Sequence, residues 1–264
     1  MPVVSSGNWS KEQLILAFYY YCQTPFGKLH SRNPEIIELA SLIGRTPSAV
    51  AMKLVNFASL DPAITATGRV GLRGASRLDR AIWDEFHADW ERLSVESERL
   101  RLRLVSKRTK AIKSVLIDAE DIIGIEDFTG VTRKVLVEQR IKQNFFRRAV
   151  LSSYRERCCM SGVTETRLLV ASHIVPWSKD KANRLNPSNG LCLSAIHDKA
   201  FDKGLITLSD DLRIILSGAL RRRNEDLIKT VFLPIENKKI EVPERFAPGL
   251  EFLSYHRKHL FVGD

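Results

Sequence analysis

Beyond Gly162 the hydrophobic residues of this chain change their spacing, and that change narrows the folds open to it. From Asn8 to about residue 92, and again from Val135 to Cys158, apolar side chains recur at the three-to-four-residue period of a helix with one buried face. After Gly162 come a β-rich run, LLVASHIVPW, a short apolar strand, GLCL, a helical stretch, SAIHDKAF, and a hairpin pattern, GLITLSDDLRIILS. No repeat at a solenoid period is present. The expectation is an α+β chain with a helical N-terminal domain over 1–94, an irregular linker over 95–130 and a C-terminal domain over 131–264.

Within the N-terminal part, Asn8 or Ser10 caps a first helix whose apolar face is Leu14, Leu16, Ala17, Phe18 and Tyr21. Pro34 opens a second helix, PEIIELASLI, which stops at Gly44. Thr46 caps a third, with Pro47 in its first turn and Ala49, Val50, Leu54 and Phe57 at helical spacing. Helix, short turn, helix is the helix-turn-helix layout. Two readings stay open for it. As a DNA reader, helix 46–57 offers Ser48, Met52, Lys53 and Asn56 to a groove, with Arg45 on phosphate. Otherwise it is a helical packing or dimerisation module. The stretch 61–76 reads as a loop, with Gly68, Gly71 and Gly74 beside Arg69 and Arg73, and 77–93 as one more helix with an inward face of Ile82, Trp83, Phe86 and Trp90. The basic run 98–113 reads equally as strand or helix, and an acidic patch from Asp118 to Asp127 follows it.

Charge bears on partners rather than on fold. Lys and Arg number 41 against 31 Asp and Glu, a net charge of +10 that favours polyanions, nucleic acid first. No apolar run approaches the roughly 20 residues of a membrane span, and the N-terminus lacks a basic start followed by an apolar stretch, so a cytoplasmic location and no membrane partner are expected. Cys22, Cys158, Cys159 and Cys192 form no CxxC pair and read as reduced core thiols. The helix 135–158 has Val137, Ile141, Phe145, Val150, Leu151 and Tyr154 on its inner side. Arg140, Arg147 and Arg148 lie on the rest, either tracking a phosphate backbone or forming a solvated face.

Three residues carry the chemistry: His173 at the end of a strand, Asn189 just before the next, and His197 in the helix after it. Two strands followed by a helix can bring them to one pocket. Hydrolysis of a phosphodiester needs a water deprotonated, phosphoryl charge neutralised and a leaving oxygen stabilised. A near-neutral imidazole meets the first need and a divalent ion the other two. Asn189, with amide donors and an acceptor, can tie the loop 178–188 to the strand and fix where His173 points.

The blocks ASHIVPW, NPSNGLCL and SAIHDKAFDKGLIT, preceded by QRIKQNFFRRAVLSSYRERCCMSG and followed by VPERFAPGLEFLSYHRKHLF, resemble the HNH endonuclease family, in its subgroup reading HIxPW, NGLxL and HxxFDxGL. The resemblance covers about 138–262 and implies a ββα-metal nuclease domain. It makes His173 the general base, Asn189 the structural asparagine, and His197 a ligand for Mg²⁺ or Mn²⁺, with the two imidazoles meeting at one phosphate. Many HNH sequences carry Asp before the base histidine; here Ser172 stands there, and a hydroxyl is a weak ligand for a hard cation. Asp202 is the candidate replacement, or else caps the turn before Gly204. The function implied is metal-dependent cleavage of double-stranded DNA in a restriction or other defence setting, with a homodimer as one route to cutting both strands. The alternatives are a DNA-binding regulator with an inactive finger and an RNA-directed nuclease.

Overall fold

A computed structural model of the chain describes residues 7–66, 68, 74–111 and 130–263, and the side chains of all of these but 107–111 and 130–136. The acidic patch, Arg69 and Arg73 lie outside the described residues. The architecture is α+β, and the chain divides into two compact units, Met1–Phe145 and Phe146–Asp264.

The first unit is helical: α1 (Lys11–Gln23), α2 (Pro34–Ile43), α3 (Pro47–Ala58), a single turn α4 (Pro62–Thr65), α5 (Arg77–His87), α6 (Trp90–Ala111) and the first part of α7 (Gly130–Ser153). Its helix starts are where polar side chains can satisfy free backbone N–H groups. Ser10 rather than Asn8 caps α1, through a reciprocal pair with Gln13, and Asn33 and Thr46 cap α2 and α3. Phe18 is fully buried at the centre of the core, with the rings of Phe57, Trp83, His87 and Trp90 between 5.1 and 6.3 Å from it. A fully buried Phe stabilises by roughly 2–3 kcal/mol, so this cluster carries much of the unit's stability.

Two expectations are corrected here. The helix read over 77–93 is two helices, because the Asp89 carboxylate accepts from the Arg92 N–H at 2.9 Å and begins α6 afresh. The ambiguous run 98–113 is helical as far as Ala111, and 112–129, the rest of the expected linker, lies outside the described residues.

The second unit carries β1 (Leu169–His173) and β2 (Gly190–Ser194), an antiparallel pair in which His173 stands opposite Gly190. Helix α8 (Ala195–Asp202) leaves β2 directly and packs on both strands. A hairpin of β3 (Ile206–Leu208) and β4 (Ile214–Leu216) follows, then the short helices α9 (Gly218–Arg221) and α10 (Asp226–Val231), and α11 (Leu250–His259) against β3. The buried stripe of α7 runs through Phe145, Phe146, Ala149, Val150 and Leu151, whereas Val137, expected inside, is 36% exposed. Beyond α8 the chain turns at Gly204, whose φ of +66° suits glycine. A Cβ there would lie 2.0 Å from the Leu260 carbonyl oxygen, and the Gly204 carbonyl accepts from the Val262 N–H at 3.0 Å.

Candidate active site

His173 closes β1 with its ring laid flat on Phe146 of α7, centroids 3.9 Å apart and planes 9° from parallel, and edge-on to Trp177 at 5.6 Å. Gly190 makes this possible: a Cβ there would come within 2.5 Å of Val150 and 2.9 Å of Phe146, so only a bare backbone lets α7 approach the strand pair at the histidine. His173 Nε2 lies 2.8 Å from the Arg184 carbonyl oxygen. A carbonyl can only accept, so Nε2 carries the proton and the lone pair is on Nδ1. Burial lowers the pKa of the ring below its ordinary value, against the opposing pull of that hydrogen bond and of the Asp198 charge.

The loop between β1 and β2 is held by asparagines. Asn189 is fully buried; its Oδ1 accepts from the Val175 N–H at 2.8 Å, and its Nδ2 donates to the carbonyls of Val175 at 3.2 Å and Asn183 at 3.3 Å. Asp180 accepts from the backbone N–H groups of Ala182 and Asn183, both at 3.0 Å, and from the Asn183 side chain at 2.8 Å. The carbonyl that orients His173 is thus fixed from both ends of the loop.

His197, the expected metal ligand, is buried within the domain. Its ring is 2% exposed, with Nδ1 hydrogen-bonded to the Ser194 hydroxyl at 2.7 Å and 4.0 Å from Cys158 Sγ, and Phe232 edge-on at 5.5 Å. It shares none of these neighbours with His173, and its Nε2 is buried without a hydrogen-bond partner among the described residues. The hydrophobic surroundings of residue 197 turn that position of α8 inward and give the next residue, Asp198, the outward face. Ser172 points inward as well, its hydroxyl buried without a hydrogen-bond partner among the described residues.

Among the side chains that α8 leaves outside the core are two carboxylates, Asp198, half-buried, and Asp202, exposed and one turn on, with the exposed Lys199 between them in sequence. Asp198 is a candidate that sequence reasoning did not single out; its four-residue spacing to Asp202 in HDKAFD was the available signal. The charge of Asp198 reaches His173, and it reaches Asp202, whose pKa is raised by burial first and by Asp198 second. Neither carboxylate has an ion-pair partner among the described residues.

A family model described as HNH endonuclease matches residues 158–209. Residues 158–209 are an HNH endonuclease domain. Among solved structures, the modification-dependent TagI restriction endonuclease is similar to the chain at 20% identity, over 44% of this chain and 37% of that one, with a TM-score of 0.32. The match thus spans little more than a third of that structure. No curated protein matches the chain.

HNH nucleases generally use a divalent cation, and two residues of the HNH domain fit one. Asp198 and Asp202 are hard oxygen donors on one helix face, and their mutual repulsion is what a cation would relieve. No group of three His, Cys, Asp or Glu donors is arranged for a metal among the described residues. Two carboxylates alone would leave the remaining positions of a hard cation to water and substrate.

The expected DNA contacts divide in the same way between inward and outward. Arg45 is buried, donating to the carbonyls of Gly7 and Asn8, both at 2.7 Å, and to Gln13 Oε1 at 3.0 Å, so it anchors the start of the chain instead of meeting phosphate. Lys53 is buried against Asp79 at 2.9 Å, joining α3 to α5, and Asn56 is buried too. Of the expected groove residues, Ser48 and Met52 are exposed. On α7, Arg140 and Arg148 are exposed, and Arg147 donates to the carbonyls of Leu169 at 2.9 Å and Thr166 at 3.3 Å.

The three cysteines of this unit are free and buried. Burial alone would raise the Cys158 thiol, but hydrogen bonds from His197 and Ser161 bring it down to about 6, while burial pushes Cys192 up to about 12.

Proposed function

We propose that this chain is a divalent-metal-dependent endonuclease that hydrolyses phosphodiester bonds of double-stranded DNA in a restriction or other defence setting. The observation that carries the reading is the His173 ring, with Nε2–H on the Arg184 carbonyl and Nδ1 left as the base. Nδ1 accepts the proton of the attacking water. The Arg184 carbonyl and the Asp198 charge both favour the imidazolium that results, and the Asn189 contacts keep the ring from turning away. Asp198 and Asp202 would hold the cation, which when bound supplies neutralisation of phosphoryl charge and of the leaving oxygen. Ser48 and Met52 of α3 and Arg140, Arg147 and Arg148 of α7 are the proposed DNA contacts, and the +10 charge supports a polyanionic substrate. A cytoplasmic location and a homodimer that cuts both strands are consistent with this role.

The test uses purified chain with supercoiled plasmid, linear DNA and structured RNA, with Mg²⁺ or Mn²⁺ and with chelator. Cutting of DNA that needs the cation, is lost in His173→Ala and Asp198→Asn, and leaves DNA binding intact in both variants is the expected result. Binding with no cutting under any divalent ion would make the chain a regulator with an inert finger. Preferential cutting of RNA would reassign the substrate.

A further inference from the structure

Arg184 occupies an unusual place. Its carbonyl sets the proton of His173, while its guanidinium sits over the Trp177 ring, 5.1 Å from the centroid. The same indole meets His173 edge-on at 5.6 Å, so the base and the cation contact one ring. Arg184 Nε donates to the Lys181 carbonyl at 3.2 Å, which leaves the two terminal nitrogens without a partner among the described residues. The one acidic residue of this loop, Asp180, has both oxygens turned into the loop on Ala182 and Asn183. The neighbouring Lys179 and Lys181 are exposed. A half-buried arginine with no carboxylate partner among the described residues, held over an indole, is prepared for an anion that arrives with the substrate. A guanidinium fork matches two phosphate oxygens where an ammonium gives only a point charge.

Building on the proposed nuclease reading, we propose that the Arg184 guanidinium grips the backbone phosphate presented to His173, holding it while Nδ1 deprotonates water. One short loop residue then serves both partners of the reaction, the base through its main chain and the phosphate through its side chain. Because the two roles use different atoms, substitution of the side chain removes the second and keeps the first.

Cleavage of supercoiled plasmid with Mn²⁺ is compared for the full chain, Arg184→Ala and Arg184→Lys. In a His173→Ala background, affinity for a short labelled duplex is measured over a salt series. Arg184→Ala is expected to lower kcat/KM and duplex affinity about tenfold or more and to reduce the slope of log affinity against log salt by about one, as loss of one phosphate contact requires. Arg184→Lys should keep the slope and recover only part of the rate. The pH dependence of cleavage should stay in place, since the carbonyl still holds His173. If Arg184→Ala lowers the melting temperature, Arg184→Gln, which retains the stem over Trp177, carries the same expectation. A variant that cuts and binds like the parent, or one that loses cutting with an unchanged salt slope, overturns the proposal. Undiminished cutting by His173→Ala would instead overturn the nuclease site itself, whatever Arg184 does.

Discussion

Burial holds the His173 ring below the ordinary imidazole pKa, so the base stays neutral at pH values where an exposed histidine is already part-charged. Cleavage should therefore persist as pH falls through 6.5 and decline only below it, on the limb where His173 takes a proton. A rate profile in constant metal that already halves at or above 6.5 would count against this assignment. The same residue shows what local sequence can place. The positions of His173 and Asn189 were legible because both are set by local geometry, a strand end and the residue before its partner strand. For His197 the sequence gives a helix position but not which of two adjacent positions faces the core. The Ser194 hydroxyl and the Phe232 ring decide that, and one of them lies far along the chain. Lys53 and Arg45 fail for a like reason: a cation on a helix reads as solvated until Asp79, or the carbonyls of Gly7 and Asn8, are seen to receive it.

At the scale of elements, strands and helices followed from period and caps, whereas breaks and contacts between distant segments did not. The division between α5 and α6 hangs on one carboxylate, Asp89, in a stretch whose apolar spacing hardly changes. The docking of α11 on β3 is likewise invisible locally. It rests partly on His256, fully buried, whose Nε2–H donates to the Phe201 carbonyl at 3.2 Å and whose Nδ1 accepts from the Thr207 hydroxyl at 2.9 Å. Burial lowers its pKa from 6.5 to about 4. The unfolded chain takes up this proton near 6.5 and the folded chain only near 4, so the stabilisation is complete above 6.5 and is lost as pH falls between those values. The loss is on the order of 3 kcal/mol. Chemical denaturation of the full chain and of His256→Gln should show the parent losing more stability than the variant between neutral pH and the lower value. Equal slopes would remove His256 as the cause.

Over the whole molecule, the change of hydrophobic period marks the α+β character, since helical and strand-bearing parts fold into successive stretches of the chain. The positive charge is less evenly available than its total suggests, because many arginines and lysines are internal or paired and a smaller set is left to meet a polyanion. Gly204 adds a dependence that composition hides. Its carbonyl and the space above its Cα receive residues 260–262, next to the end of the helix that carries Asp198 and Asp202. Gly204→Ala adds a methyl group where the Leu260 carbonyl stands and forces a left-handed backbone on a residue that carries a Cβ, a cost of about 2 kcal/mol or more. We expect a lower melting temperature together with reduced plasmid cutting; wild-type values for both would show that the clasp is dispensable. A survey of inactivating changes in such a chain should accordingly find lesions at this hinge that touch no donor, no base and no basic side chain, and that act only by letting the carboxylate helix come unfastened from its own distant tail.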